Sequence, residues 1–98
     1  AVPVEKISYF FSQNKLTYIV TKDGKKLPTD QTLEMLDEQL NPQSFYRANR
    51  QFIISFDSIA EIHPYFKGRL KLDLTPPAEI ELVVSADRTP EFKSWLDQ

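Results

Sequence analysis

Hydrophobic side chains recur at every second position in three segments of this chain, and this spacing constrains its fold most strongly. The segments are residues 16–21, 69–74 and 79–84. Successive side chains of a β-strand point to opposite faces, so a two-residue period predicts strands with one buried face. Residues 69–74 and 79–84 flank a Thr-Pro-Pro turn, and together they are predicted to form a hairpin.

Further short strands are predicted from composition and from turn signals. Residues 7–11 are apolar or aromatic apart from Ser8, which predicts a mostly buried strand. Residues 26–28 follow an Asp-Gly pair, one of the strongest short signals of a hairpin, and are its predicted return strand. Residues 45–47 and 52–54 are predicted to be strands on either side of a polar segment.

The first of two predicted helices has leucines at helical spacing, at positions 33, 36 and 40. This spacing predicts an amphipathic helix of about three turns. Thr29 or Asp30 is its predicted cap, because their side-chain oxygens can accept free backbone N–H bonds. Asn41-Pro42 ends it, since proline cannot continue a helix and restricts the residue before it.

The second predicted helix lies at the end of the chain. Phe92, Trp95 and Leu96 form its apolar stripe, and Pro90 lies in its first turn. Its predicted cap is one of two residues, Asp87 or Thr89. The sequence therefore predicts one mainly β domain over residues 1–98, with many short strands and two short helices.

Composition excludes several classes of protein. The chain has no cysteine and one histidine, His63, which excludes zinc fingers, iron–sulfur clusters and disulfide scaffolds. Its two glycines cannot build a glycine-rich phosphate loop. No apolar run approaches the ~20 residues of a membrane-spanning helix. We therefore expect no cofactor, no metal site, no membrane segment and no enzymatic activity.

Charge is unevenly distributed along the chain. The formal net charge is -2, but ten of the twelve Lys and Arg residues lie in residues 1–29 and 42–71. A pI near 5.3 argues against a protein coated in positive charge. It is compatible with one local basic face, because contacts with phosphate act over about a Debye length, ~10 Å.

Polar loops occur between the predicted strands, where a nucleic-acid-binding face needs them. Residues 12–15 all carry hydrogen-bonding side chains. Residues 47–51 contain Arg, Asn and Gln, the side chains that make bidentate contacts with guanine or adenine edges. Residues 67–71 place three cations toward solvent, and Arg88 lies at the start of the last helix. Such groups can meet phosphates.

Each of these features also has a purely structural interpretation. Residues 12–15 can be a solvated turn, and Arg47 can pack its stem on Tyr46. The same loops would also suit a β-rich protein-interaction module that binds an acidic partner without reading DNA sequence. A small hydrolase that depends on His63 is a third interpretation, although no nucleophile-elbow signature accompanies it.

The order of the motifs resembles the LytTR DNA-binding domain, the C-terminal output domain of bacterial LytR/AlgR-type response regulators. The resemblance spans nearly the whole chain. Residues 45–55 are similar to the family pattern F-x-R-x-[HN]-R-x-[FY]-[IV]-[IV]-[NS], and residues 59–69 to I-x-x-I-x-P-[YF]-F-x-G-R. Residues 83–85, Val-Val-Ser, lead into a helix as they do in the family. Together these motifs are specific.

The resemblance implies a fold and a way of binding double-stranded DNA. The implied fold is an elongated, antiparallel, multi-sheet β-fold of about ten short strands. Members of the family read successive major grooves with loops, typically bind direct repeats, and bend the DNA. The implied function is sequence-specific DNA binding for transcription regulation in a two-component system, with pairing of two copies on tandem sites.

The resemblance also assigns roles to residues. The candidates for base contacts are Asn14, Lys15, Asn49, Arg50 and Arg88. The candidates for phosphate contacts or positioning are Arg47, Gln51, Lys67, Arg69 and Ser85. Many members carry Arg directly after this serine, whereas this chain has Ala86-Asp87, so Arg88 is the nearest substitute.

The beginning of the chain and the usual C-terminal position of the domain in this family imply a longer parent protein. The chain begins Ala-Val-Pro rather than with Met. We therefore expect that it is a fragment and that a phosphoacceptor receiver domain, or another sensor, precedes it. The resemblance implies a cytoplasmic bacterial protein.

Overall fold

The strands assemble into two antiparallel sheets in the computed structural model, which describes residues 2–98. The strands of the first sheet are β1 (Ile7–Gln13), β2 (Leu16–Thr21), β3 (Lys26–Thr29), β4 (Phe45–Arg47) and β5 (Phe52–Ser55). Their order in space is β3-β2-β1-β5-β4. The strands of the second sheet are β6 (Ile59–Pro64), β7 (Leu70–Leu74) and β8 (Leu82–Val84), which lie in sequence order.

Two helices and three short 3₁₀ turns complete the fold. The helices are α1 (Leu33–Gln39) and α2 (Thr89–Leu96). The 3₁₀ turns are Val4–Lys6, Phe56–Ser58 and Phe66–Gly68. The described residues measure 38 × 27 × 23 Å along their principal axes, so the domain is longer in one direction than in the other two. The mainly β class with two short helices is confirmed.

The five-stranded sheet is covered on both faces, which explains why β1 is apolar almost without interruption. Phe10 and Ile53 face α1, where they pack with Leu33 and Leu36. The opposite face of the sheet packs against the second sheet and α2. The main core there consists of Tyr9, Phe11, Val20, Tyr46, Ala48, Phe52, Ile54, Leu72, Leu74, Leu82, Val84, Phe92 and Trp95. Burial on both faces removes the alternation that would mark a half-exposed strand.

Strand β2 departs from the expected alternation for the same reason. Thr17 and Thr21 are buried, although the two-residue pattern placed them opposite the hydrophobic positions. Leu16, the first hydrophobic residue of the pattern, is exposed at the end of the strand. In β7 the expectation holds better, because Leu72 and Leu74 are buried.

The predicted number of strands and both predicted helix caps differ from the structure. Eight strands are present among residues 2–98, where about ten were expected. Helix α1 has about two turns, and its cap is Thr32, whose Oγ1 accepts the N–H of Met35 at 3.1 Å. The prediction of Thr29 or Asp30 was wrong because Thr29 still pairs with Thr17 in the sheet.

The start of α2 also differs. Arg88, rather than Asp87 or Thr89, occupies the N-cap position, and its side chain makes no capping hydrogen bond. Ser85 closes the turn before the helix, because its carbonyl accepts the N–H of Thr89 at 3.0 Å and its Oγ accepts that of Arg88 at 3.3 Å. Thr89 is the first helical residue, and Pro90 lies in the first turn as predicted. Strand β8 begins at Leu82, so residues 79–81 of the predicted strand are outside the sheet.

The buried tyrosines predict a loss of stability at alkaline pH. Burial raises the pKa of Tyr9 to about 12 and that of Tyr46 to about 12, against about 10 in an unfolded chain. Between pH 10 and pH 12 these two tyrosines are ionised in the unfolded chain but still protonated in the folded domain. The free energy of unfolding therefore falls as the pH rises from 10 to 12. Urea denaturation at each pH measures this slope. In the double variant Tyr9→Phe, Tyr46→Phe, the free energy of unfolding should change less with pH. An unchanged dependence on pH would show that these tyrosines do not cause it.

Candidate nucleic-acid interface

The β1–β2 turn and the β4–β5 loop lie at the same end of the five-stranded sheet. Strands β1 and β5 are antiparallel neighbours, with Phe11 opposite Phe52, so the end of β1 meets the beginning of β5. The N–H of Ser12 donates to the carbonyl of Gln51 at 2.9 Å. This bond brings residues 12–15 beside residues 48–51, as the candidate roles require.

The corresponding end of the three-stranded sheet carries the other two candidate segments. Leu70 begins β7 and is paired with Val84 at the end of β8, so the turn before β7 lies next to the turn after β8. The hydroxyl of Thr89 donates to the carbonyl of Gly68 at 3.3 Å and to that of Ser85 at 2.9 Å. Residues 65–69 and 85–88 are therefore neighbours.

Asn49 joins the ends of the two sheets. Its Nδ2 donates to the carbonyl of Val83 in β8 at 3.0 Å, and its Oδ1 accepts the N–H of Gln51 at 2.8 Å. All four segments consequently lie along one side of the molecule. We call residues 12–15, 48–51, 65–69 and 85–88 the loop edge.

The turn at Asn14 and Lys15 is tight and exposed. Both residues have left-handed backbone conformations, with φ of 54° and 66°, between the paired residues Gln13 and Leu16. A two-residue hairpin turn of this kind matches the twist of its strands, and asparagine adopts it more readily than most residues. The sheet therefore holds both side chains at a fixed point of the loop edge.

Arg47 fixes the shape of the β4–β5 loop from within. Its Nε donates to the carbonyl of Asn49 at 2.7 Å, and its Nη2 donates to the carbonyl of Arg50 at 3.0 Å. The same Nη2 lies 3.1 Å from Oε2 of Glu34 in α1. The hydrogen bond from Arg47 holds the pKa of Glu34 below its usual range. Only 17% of the Arg47 side chain is exposed, so its guanidinium is a positioning group in this structure.

Arg50 and Gln51 occupy the outside of the same loop. Both residues are exposed. Within residues 2–98, neither side chain has a hydrogen bond or an ion pair, since only their backbone groups are bonded. The arginine that the loop presents to solvent is therefore Arg50, whereas Arg47 holds the loop in position through its hydrogen bonds to the backbone.

The turn before β7 presents two more cations. Lys67 is exposed and has a left-handed backbone conformation, with φ of 57°. Arg69 donates from Nε to the carbonyl of Phe66 at 3.0 Å, and its guanidinium lies 4.9 Å from the ring centroid of Tyr65. Stacking on the ring restricts the Arg69 side chain while leaving its positive charge uncompensated.

The Arg88 side chain is paired with Glu91, a residue of the helix that follows it. Its Nη2 lies 3.3 Å from Oε1 of Glu91, and its guanidinium lies 5.5 Å from the ring centroid of Tyr46. The Tyr46 hydroxyl donates to the same carboxylate oxygen at 2.7 Å. Hydrogen bonds from Tyr46 and then Arg88 lower the pKa of Glu91. Arg88 would have to leave this arrangement to contact a base.

Unpaired positive charge is concentrated on the loop edge. Within residues 2–98, six Lys and Arg side chains have no carboxylate within 4.0 Å; they are Lys6, Lys15, Arg50, Lys67, Arg69 and Lys93. Four of the six belong to the loop edge. The other six cations pair with carboxylates, so the domain has a local basic surface despite its net charge of -2.

Phe66 had no predicted role, although it is the most exposed large hydrophobic residue described. The residue is 69% exposed, and it lies beside Lys67 on the loop edge. The pair Tyr65-Phe66 directly before a Lys-Gly-Arg turn was the available signal, because aromatic residues in a turn lack a strand face to cover them. An exposed phenylalanine among cations can contact a thymine methyl group or a sugar.

The chain is similar to known proteins in sequence and in fold. The sequence model of the LytTr DNA-binding domain matches residues 1–97. The sensory transduction protein LytT of Bacillus anthracis is 28% identical over 98% of this chain and 42% of its own length. LytT of Oceanobacillus iheyensis is 36% identical over 60% of this chain and 24% of its own length. The chain thus spans less than half the length of these relatives.

A solved structure has the same fold as this chain. This structure is a LytTr DNA-binding domain from Bacillus cereus, with a TM-score of 0.82 and 24% identity, which covers 99% of this chain and 86% of its own. The two helices described here are too short to cross a bilayer. The matching family is one of DNA-binding domains rather than enzymes. The chain belongs to the LytTr DNA-binding domain family.

Proposed function

We propose that the domain binds double-stranded DNA sequence-specifically to regulate transcription, with the loop edge in the major groove. One observation carries this proposal: the loops of both sheets converge on the edge that holds four of the six Lys and Arg side chains without a carboxylate partner in residues 2–98. Contacts with phosphate supply affinity, whereas a few loop side chains supply specificity.

Some side chains on the loop edge are suited to contact bases, and others hold the loops in position. We assign base contacts first to Arg50 and Asn14, because both are exposed and suited to bidentate contacts with guanine and adenine respectively. Lys15 and Arg88 are secondary candidates for base contacts. Asn49 keeps one free amide N–H for a base, and its other bonds position the loop.

The cations and polar groups around these base-contact candidates are suited to contact phosphates. We assign them to Lys67, Arg69, Gln51 and Ser85, and a positioning role to Arg47. The longest dimension of the domain is 38 Å, slightly more than one turn of B-DNA at about 34–36 Å. We propose that the loop edge runs along this dimension and reaches two successive major grooves.

The proposal is tested by selecting binding sites from a random duplex library and repeating the binding assay across a salt series. We expect an enriched motif and an affinity that falls steeply as the salt concentration rises. Binding without a motif would contradict sequence-specific recognition. Failure to bind DNA even at low salt would favour a protein-interaction module instead.

The substitution Lys67→Ala separates phosphate contacts from base contacts. We expect it to weaken binding to all sequences about equally and to reduce the slope of log affinity against log salt by about 1. Isothermal titration at four salt concentrations, with the selected site and with a scrambled site, measures both effects. A loss confined to the selected site would mean that Lys67 reads a base.

We also propose the wider arrangement that the family resemblance implies. In it, two copies bind direct repeats as a pair, and a receiver domain of the same parent chain controls them in the bacterial cytoplasm. The greater length of the LytT relatives leaves room for such a domain. Sedimentation of the domain with one site and with two tandem sites tests the pairing, because a dimer on DNA should form only on the tandem site.

A further inference from the structure

The outer face of the three-stranded sheet brings the single histidine beside two carboxylates. Glu61 and His63 are two residues apart in β6 and share one face, and Asp73 reaches the same face from β7. Leu72 and Leu74, on either side of Asp73, are buried on the other face. The backbone ladder of two paired strands therefore holds the three polar side chains together.

The distances within this cluster suit ligands of one metal ion. His63 Nε2 lies 2.7 Å from Asp73 Oδ2 and 3.6 Å from Glu61 Oε2. All three atoms lie within 4.8 Å of one another. Two ligands of a tetrahedral Zn²⁺ are separated by about 3.3 Å when their bonds are about 2.0–2.1 Å long. Small rotations of these exposed side chains would bring the three atoms to that spacing.

The charges of the cluster also favour the binding of a cation. Glu61 and Asp73 are directly opposite each other in the β6–β7 register, and like charges in that position destabilise a sheet. Lys71 is the neighbouring cation, opposite His63 in the register, but its Nζ lies 3.7 Å from Oε2 of Glu81. Two carboxylates and one imidazole consequently share a face whose nearest lysine is paired elsewhere.

We propose that Glu61, His63 and Asp73 bind a divalent transition-metal ion of the Zn²⁺ class. An imidazole nitrogen favours Zn²⁺ over Mg²⁺ or Ca²⁺, which prefer oxygen ligands. The three side chains are 41–69% exposed, which leaves the remaining coordination positions open to water or to a group from a partner. No metal site was expected because the chain has no cysteine and a single histidine, whereas the sheet supplies two carboxylates beside that histidine.

Titration of the isolated domain with ZnCl₂, in the absence of DNA, tests this proposal independently of the proposed function. We expect one Zn²⁺ per chain by calorimetry. We also expect shifts of the His63 imidazole signals in NMR spectra, which are unambiguous because the chain has one histidine. Mg²⁺ at the same concentration should leave these signals in place.

Variants identify the ligands. His63→Gln, Glu61→Gln and Asp73→Asn should each weaken Zn²⁺ binding by about tenfold or more. The matched control is Glu38→Gln, which removes one exposed carboxylate of α1 and should leave the affinity unchanged. Circular dichroism verifies that each variant is folded. Zn²⁺ binding that survives in His63→Gln, or imidazole signals of the wild-type domain that do not respond to Zn²⁺, would overturn the proposal.

Discussion

Replacing Phe92 with alanine is expected to lower the free energy of unfolding by about 3–5 kcal/mol, the usual cost of removing a buried phenylalanine ring. Phe92 is fully buried where α2 meets both sheets. Its ring centroid lies 5.6 Å from that of Tyr46 and 6.2 Å from that of Trp95, so the cavity would open in the centre of an aromatic cluster. Urea denaturation followed by tryptophan fluorescence measures the loss.

Phe66→Ala is the matched control, because it makes the same chemical change at the most exposed large hydrophobic residue described. We expect it to change the free energy of unfolding by no more than about 0.5 kcal/mol. Equal losses in the two variants would show that α2 does not pack into the core as described. The pair also separates folding from DNA binding, since Phe66 lies on the loop edge and Phe92 does not.

Replacing Arg50 with alanine is expected to weaken binding to the selected DNA site by about 1–3 kcal/mol, or roughly 5- to 150-fold. The loss should be specific, because the variant should no longer distinguish one base pair within the site. Repeating the library selection with the variant shows which position of the motif has become degenerate. Titration of the original site gives the magnitude.

Lys6→Ala is the control for the loss of one positive charge. Lys6 is also exposed and has no carboxylate partner among the described residues 2–98, but it precedes β1 and so lies at the other end of that strand from Asn14. We expect its variant to keep both the motif and most of the affinity. If Arg50→Ala weakened all sequences equally, Arg50 would be a phosphate contact and the reader would have to be another residue.

Most strands could be predicted from the sequence because local patterns determine them. The Asp-Gly turn before β3 and the leucines of β7 behave as expected. The cap of α1 was misplaced because a threonine that suits a cap in isolation also suits a strand, and Thr29 is paired in the sheet. The burial of Thr17 could not be predicted, since it depends on which elements cover each face of β2.

The sequence predicted the polar loops of the candidate site, but not which of their side chains are bonded within the fold. The motifs placed polar residues in loops, and antiparallel pairing brings those loops to one edge. Whether a side chain is free depends on partners that are distant in sequence: Asn49 binds Val83, and Arg47 binds Glu34. No spacing rule links such pairs, so the sequence did not predict that Arg47 is bonded to the loop and to Glu34, whereas the Arg50 side chain has no bond within residues 2–98.

The left-handed turns bear on how a domain like this one can acquire a new operator. Asn14, Lys15 and Lys67 have positive φ, where β-branched and bulky side chains are strained. Mutations there sample few alternatives without a loss of stability. Arg50 is not among the positive-φ residues, so its backbone does not restrict the side chain there. The turns should therefore stay nearly constant among descendants that recognise different promoters, and a new operator should be acquired through exposed side chains outside these turns.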